Sequence, residues 1–242
     1  MAELPDQLVL PGVDGVELEA VWWRSEPTGD RNAAVVLGHP SGGDAHLIAP
    51  MAMALRDAGY HAVAVSMRGF GRSGGADDGG LRQPDDQLAV VRWLVQQPEI
   101  DPSRIALWGR SHGGQVALLA ASRAHGLVRA VAVWNAVTDI DHWRAHSAHP
   151  GIDGYIDRCC SPDTRARSPA EHAQEIAVPV LLVHGAIDTR VPTSQSVMMA
   201  DRLREAGTHV DLELLEGLGH RYGPDGNARA LALTLEFLAR HL

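Results

Sequence analysis

Short, continuous apolar runs alternate along the chain with longer stretches whose apolar residues recur at helical spacing. Residues 33–37, 62–65, 105–108, 129–134, 180–183 and 210–215 are runs of the kind found in strands buried on both faces. Between them, 48–58 reads as a helix stopped by Gly59. A second helix starts at Pro84, carries Leu88, Val91, Leu94 and Val95 on one face, and ends at Pro98. Residues 116–121 are a small-residue run suited to a buried helix, and 194–206 is a helix closed by Gly207. The last helix, 227–242, places Leu231, Leu235 and Leu238 on one stripe. At the start, 7–11 and 16–24 flank Val13-Asp14-Gly15, and Asp-Gly between apolar segments predicts a hairpin. Strand and helix in strict alternation predict a mostly parallel, doubly wound α/β sheet with antiparallel N-terminal strands. Ligands of such sheets bind at the carboxyl ends of the strands. The rhythm breaks at 137–177, rich in His, Asp, Arg and Pro, which is read as a small cap on a single domain spanning 1–242.

Composition narrows the partners. The 242 residues are 45% hydrophobic and 21% charged, ordinary for a globular domain. A formal net charge of -9 without a basic run argues against nucleic acid. Cys159 and Cys160 are adjacent, too close for an ordinary disulfide, and are read as thiols. The start Met-Ala-Glu-Leu-Pro-Asp lacks the basic and apolar blocks of a signal peptide, and no apolar run reaches the roughly 20 residues of a membrane span. The expectation is a cytoplasmic protein that meets no membrane; the oligomeric state is not legible.

The chemistry centres on Gly109-Arg110-Ser111-His112-Gly113, a G-x-S-x-G between a predicted strand and a predicted helix. A serine on so sharp a turn holds its hydroxyl outward, and the glycines let strand and helix approach closely. Its bland alternative is a helix cap. A serine nucleophile needs a base and an acid to orient that base. Asp188 follows the 180–183 strand and His220 follows the last strand, each on a glycine-punctuated loop, so the chain order is Ser, Asp, His. Asp139 and Asp141 are rivals for the acid. The backbone N–H groups of His112 and Ser41 are the expected oxyanion donors, with Gly42 in reserve; Pro40 has no N–H. His39 and His184 are read as ties between loops. His142, His146 and His149 share a helical spacing but lack a supporting carboxylate motif, so no metal is expected. The loop 69–75 lacks the lysine of a P-loop and is read as a tight bend.

Together, His39-Pro40-Ser41-Gly42-Gly43, Arg68-Gly69-Phe70-Gly71-Arg72-Ser73, Gly109 to Gly114, Ser168-Pro169 ahead of Val178-Pro179, and the Asp188 and His220 loops resemble the α/β-hydrolase superfamily. Within it the chain is similar to the catalytic domain of the prolyl oligopeptidase-like serine peptidases and their esterase relatives. The resemblance implies a serine hydrolase working through an acyl-enzyme, with Ser111 as nucleophile, His220 as base then acid, Asp188 orienting it, and no cofactor. Those peptidases usually carry a large N-terminal propeller, whereas about 30 residues precede the sheet here, so a carboxylesterase for small or medium esters is the first expectation. A peptidase or amidase taking short peptides is the close alternative. A non-catalytic ligand-binding protein on the same fold is the reading from another class. Trp134, Trp143 and Tyr155 are the expected apolar walls of the pocket.

Overall fold

A computed structural model of the chain describes residues 4–27 and 29–242. The reading of the N-terminus as signal-free rests partly on residues 1–3, outside the described residues. Among the described residues, eight strands form one sheet in the order β1-β2-β4-β3-β5-β6-β7-β8. The hairpin of β1 (Asp6–Pro11) and β2 (Glu17–Trp23) is antiparallel and adds to the edge of β4 (His61–Val65). Its turn puts Asp14 at φ 58° and Gly15 at φ 74°, the backbone that Asp-Gly accommodates best. The other strands, β3 (Asn32–Gly38), β5 (Ile100–Arg110), β6 (Ala130–Trp134), β7 (Val180–Gly185) and β8 (Val210–Leu215), run parallel with β4.

The apolar runs are continuous because both faces are covered. In β3, Ala34 and Val36 pack toward α2 (Gln83–Leu94), α3 (His112–Ser122) and α6 (Ser194–Glu205), while Val35 and Leu37 pack toward α1 (Ala49–Asp57) and α7 (Gly223–His241). No helix among the described residues is long and apolar enough to cross a membrane.

Residues 137–177 lie between β6 and β7 and carry α4 (Ile140–His146), α5 (Ile152–Cys159) and short 3-10 turns at Arg165–Arg167 and Pro169–Glu175. This segment has its own apolar cluster, in which Ile140, Trp143, Ile156 and Cys160 pack with Val191 from beyond β7. Both cysteines are free and buried, and burial pushes the Cys160 thiol up to about 12.

The loops at the carboxyl ends of the strands are tied by buried polar groups. His39 accepts from the Met67 N–H at 3.0 Å, joining the loop after β3 to the loop after β4. Glu19 accepts from the Ser66 hydroxyl (2.8 Å), the Arg72 N–H (3.0 Å) and the Arg72 guanidinium (2.8 Å), which fixes the loop 69–75. Burial brings His39 down to about 4 from an ordinary 6.5. Burial also pushes the Glu19 carboxyl up, but the hydrogen bonds from Arg72 and Ser66 outweigh it and bring the group down to about 2.

These shifts have a common sign. The unfolded chain binds protons at both groups more readily than the folded one, so folding stability is full above the unfolded values and falls with pH. His39 contributes its loss between pH 6.5 and 4, worth about 3 kcal/mol, and Glu19 adds a further loss between 4.5 and 2. Urea melts at pH 7 and pH 4 should show the drop, and His39→Gln should reduce it without abolishing it, because burial brings His61 down to about 4 as well and it loses stability over the same interval. An equal midpoint at both pH values would count against this account.

Candidate active site

Ser111 stands between β5 and α3 with φ 55° and ψ -118°, a conformation that side chains rarely adopt. It is held there from both sides. Its N–H donates to the Trp134 carbonyl of β6 at 2.8 Å, and its carbonyl accepts from Gly114 and Gln115 as the first turn of α3. Glycine flanks make the turn possible: a Cβ on Gly109 would sit 2.1 Å from the Gly113 carbonyl oxygen, and one on Gly113 would sit 2.2 Å from that of Gly38. The Ser111 side chain makes no cap bond to α3. Instead its Oγ lies 3.2 Å from His220 Nε2.

His220 Nδ1 lies 2.6 Å from Asp188 Oδ2, so the ring donates its Nδ1 proton to the carboxylate and turns Nε2 toward Ser111. The other carboxylate oxygen, Oδ1, accepts from the Arg190 and Val191 N–H groups at 2.9 and 3.0 Å. His184 Nε2 adds a contact of 3.5 Å to Oδ2. Burial pushes the Asp188 carboxyl up, yet the hydrogen bonds from His184, His220 and Val191 outweigh it and hold the group far below the usual carboxylate range. A serine hydroxyl bonded to an imidazole that a buried carboxylate orients can pass its proton to that imidazole when it attacks an electrophile.

The remaining expected residues lie around the same opening. Ser41, Gly42, Ser111, His112 and His220 all line one cleft of about 1040 Å³, with Asp188 behind His220. Neither the Ser41 nor the His112 backbone N–H has a partner among the backbone bonds of the described residues. Trp134, Trp143 and Tyr155 form apolar wall. Of the rival acids, Asp139 caps α4 by accepting from the His142 N–H at 2.8 Å, and Asp141 takes the Thr164 hydroxyl.

Each of the three spaced histidines is engaged by a protein partner, and the His142 and His146 rings stack on each other. His142 Nδ1 faces the Gln195 amide at 3.1 Å, His146 Nδ1 faces the His142 carbonyl at 2.9 Å, and His149 Nε2 accepts from Arg190 at 2.8 Å. His184 bonds Ser196 Oγ at 2.6 Å and the Val191 carbonyl at 2.8 Å, pinning the Asp188 loop from below. From above, the Trp143 indole and the Ser147 hydroxyl both donate to the Arg190 carbonyl, at 2.8 and 2.6 Å.

Sequence reasoning passed over the groups that hold the His220 loop. The His220 carbonyl accepts from the Arg110 guanidinium at 2.7 Å and from the Asn135 amide at 3.0 Å. Asn135 Oδ1 accepts in turn from the Gly185 N–H at 3.0 Å and the Tyr222 hydroxyl at 2.7 Å. Asn135 has φ 47°, and an asparagine directly after the apolar run 129–134 was the available signal, since Asn tolerates this backbone better than most residues.

Asn135→Ala leaves the Gly185 N–H without an acceptor in a fully buried position and loosens the His220 loop. A stability loss of about 2–4 kcal/mol is expected in urea melts. At temperatures where the variant is fully folded, turnover should fall at least about tenfold, by the misplacement argument. Unchanged turnover would mean that Arg110 alone suffices.

The prolyl oligopeptidase family model matches residues 46–242. Among curated proteins, an uncharacterized peptidase, YtmA, of Bacillus subtilis is 24% identical over 185 residues, covering 74% of this chain and 72% of the relative. Acylamino-acid-releasing enzyme 1 of Oryza sativa subsp. japonica is 27% identical over 232 residues, covering 82% of this chain but 29% of the relative. The chain thus spans most of one relative and less than a third of the other. Among solved structures, a Mycobacterium tuberculosis puromycin-hydrolyzing peptidase superposes with a TM-score of 0.87 at 22% identity, covering 98% of this chain and 39% of that one. A thermophilic esterase from the Planctomycetes species Thermogutta terrifontis superposes with a TM-score of 0.77 at 21% identity, covering 98% and 92%. The structural likenesses establish the α/β-hydrolase fold, and the match over 46–242 establishes the family: the chain belongs to the prolyl oligopeptidase family, as a serine hydrolase.

Proposed function

We propose that this hydrolase cleaves carboxylic esters of small or medium size through an acyl-enzyme. Ser111 Oγ attacks the ester carbonyl carbon while His220 Nε2 takes its proton, and Asp188 holds the imidazolium in place. The negative charge that develops on the carbonyl oxygen is received by the Ser41 and His112 N–H groups. Collapse of the intermediate expels the alcohol, which leaves with the proton from His220. Water then attacks the acyl-Ser111 by the same route, releasing the acid and restoring the serine.

The observation that carries this reading is the continuous contact from Ser111 through His220 to Asp188, at 3.2 and 2.6 Å, opening onto one cleft with two unengaged N–H groups. Esters are favoured by the likeness to an esterase of nearly the same extent. A peptide or amide substrate is the second reading, and the family match itself is what favours it.

Labelling with a fluorophosphonate probe tests the chemistry, comparing wild type with Ser111→Ala and His220→Ala. Labelling lost in both variants is the expected result; labelling that persists in Ser111→Ala would refute the assignment. A matched acyl ester and acyl anilide then separate the two bond types. Comparable rates on the anilide would overturn the ester preference.

A further inference from the structure

Among the described residues, the otherwise mostly apolar and neutral cleft that holds Ser111 is lined by three arginines and three histidines but by no aspartate or glutamate, in a chain whose formal net charge is -9. Its cations are Arg110, Arg190 and Arg221. None of the three takes part in an ion pair with a carboxylate among the described residues. Arg190 is engaged by His149 and is exposed.

Arg110 is different. It is half-buried beside the nucleophile, with its guanidinium carbon 5.4 Å from the centre of the Tyr222 ring. One nitrogen, Nη2, donates to the His220 carbonyl, and Nε and Nη1 have no hydrogen-bond partner among the described residues. Burial and then the neighbouring Arg221 both act to lower its pKa, but a guanidinium keeps its proton in proteins. Asp188, the carboxylate whose field it feels, is already committed to His220 and the backbone. A cation drawn partly out of water with donors unused, next to a second cation, is unfavourable unless an anion joins it.

We propose that the substrate carries a carboxylate, and that Arg110, supported by Arg221 at the rim, anchors it beside Ser111. The planar fork of Arg110 suits a carboxylate, and partial desolvation strengthens the pairing. The same lining gives a substrate ammonium no counter-charge, so a free amine near the scissile bond is mismatched. This deepens the ester reading above and rests on it for turnover, though binding can be read separately.

The test uses two pairs of esters of matched shape that differ in charge, with each enzymatic rate divided by the rate of the same ester in alkali to remove the difference in leaving-group acidity. One pair carries the charge on the acyl side, the mono-p-nitrophenyl ester of glutaric acid against that of glutaramic acid. The other carries it on the leaving group, 4-acetoxybenzoate against 4-acetoxybenzamide. At low ionic strength the anionic member of at least one pair is expected to be favoured at least about tenfold in kcat/KM. Arg110→Gln should bring that ratio close to one, Arg221→Gln should reduce it by about two- to fivefold, and Arg110→Lys should retain part of it.

The ratio is the readout, because Arg110→Gln also removes a support of His220 and lowers both rates. Parity or a neutral preference in both pairs, or a preference that survives Arg110→Gln, overturns the proposal. Calorimetric binding of the same pairs to Ser111→Ala separates the two readings. Anion preference in binding without wild-type turnover would sink the esterase and keep the anion site; turnover without preference would do the reverse.

Discussion

Replacing Ser111 with alanine is expected to lower kcat/KM on an ester by at least about 10⁴-fold and to leave the fold intact. The geometry separates these two effects. The Ser111 hydroxyl makes no cap bond to the backbone of α3, and its one hydrogen bond to a side chain among the described residues is with His220 Nε2 at 3.2 Å. The turn itself is held through main-chain bonds to Trp134, Gly114 and Gln115, which alanine keeps. Alanine tolerates φ 55° about as poorly as serine does, so the strain does not change sign. On the proposed mechanism the nucleophile is what is lost, and the remaining N–H donors would stabilise only a slow attack by water. His220→Ala should cost a similar factor, and the double variant little more than either alone, because the groups act as one unit. Initial rates on a p-nitrophenyl ester, with near-UV circular dichroism and a urea melt for each variant, read both effects. A Ser111→Ala protein retaining a tenth of wild-type activity would end the nucleophile assignment, and additive losses would end the unit.

The largest structural effect is expected at Gly113. A Cβ there would lie 2.2 Å from the Gly38 carbonyl oxygen, 2.4 Å from the Gly38 carbonyl carbon and 2.7 Å from the His39 carbonyl oxygen. All three are backbone atoms of a central strand and its loop, so no side chain can swing away. Gly113→Ala must push α3 off β3, which opens the core where Val36 and Leu118 pack. A loss of at least about 4 kcal/mol is expected, or a melting temperature lower by about 10 °C or more at this chain length. Gly154, inside α5, supplies the control. A Cβ there meets nothing within 4 Å and its φ is not positive, so Gly154→Ala should be neutral or stabilising by about 0.5–1 kcal/mol. Calorimetric melts of the two variants side by side decide the matter. Equal melting temperatures would show that the α3–β3 contact yields at little cost.

Most of the sheet was legible because its strands are buried on both faces and leave uninterrupted apolar runs. The edges of elements were less so. The run 105–108 marks only the buried half of β5, which begins at Ile100, where Asp101, Pro102 and Ser103 at the sheet's rim break the pattern. The run 116–121 marks only the later turns of α3, which begins at His112. Gly113 and Gly114 look like helix breakers in the sequence, yet they are required there by the backbones of β3 and β5 and by Ala136. Likewise α7 begins at Gly223, ahead of its leucine stripe.

Placement of the site followed from chain order alone. Parallel strands all end on one edge of the sheet, so Ser111 after β5, Asp188 after β7 and His220 after β8 had to emerge on the same side. That much the pattern of apolar runs and glycines determined by itself, since local spacing specifies strands and strands specify an edge. The tertiary structure alone decided what happens along that edge. It joined Arg110 and Asn135 to the His220 carbonyl, residues separated by 110 and 85 positions. It bound α4 and its following turn to the Asp188 loop through the Arg190 carbonyl. It also gathered three arginines and, among the described residues, no carboxylate into the lining of one cleft, against the sign of the net charge. Such contacts depend on which side chains fill the same space after the strands have packed, and no periodicity in the chain encodes that.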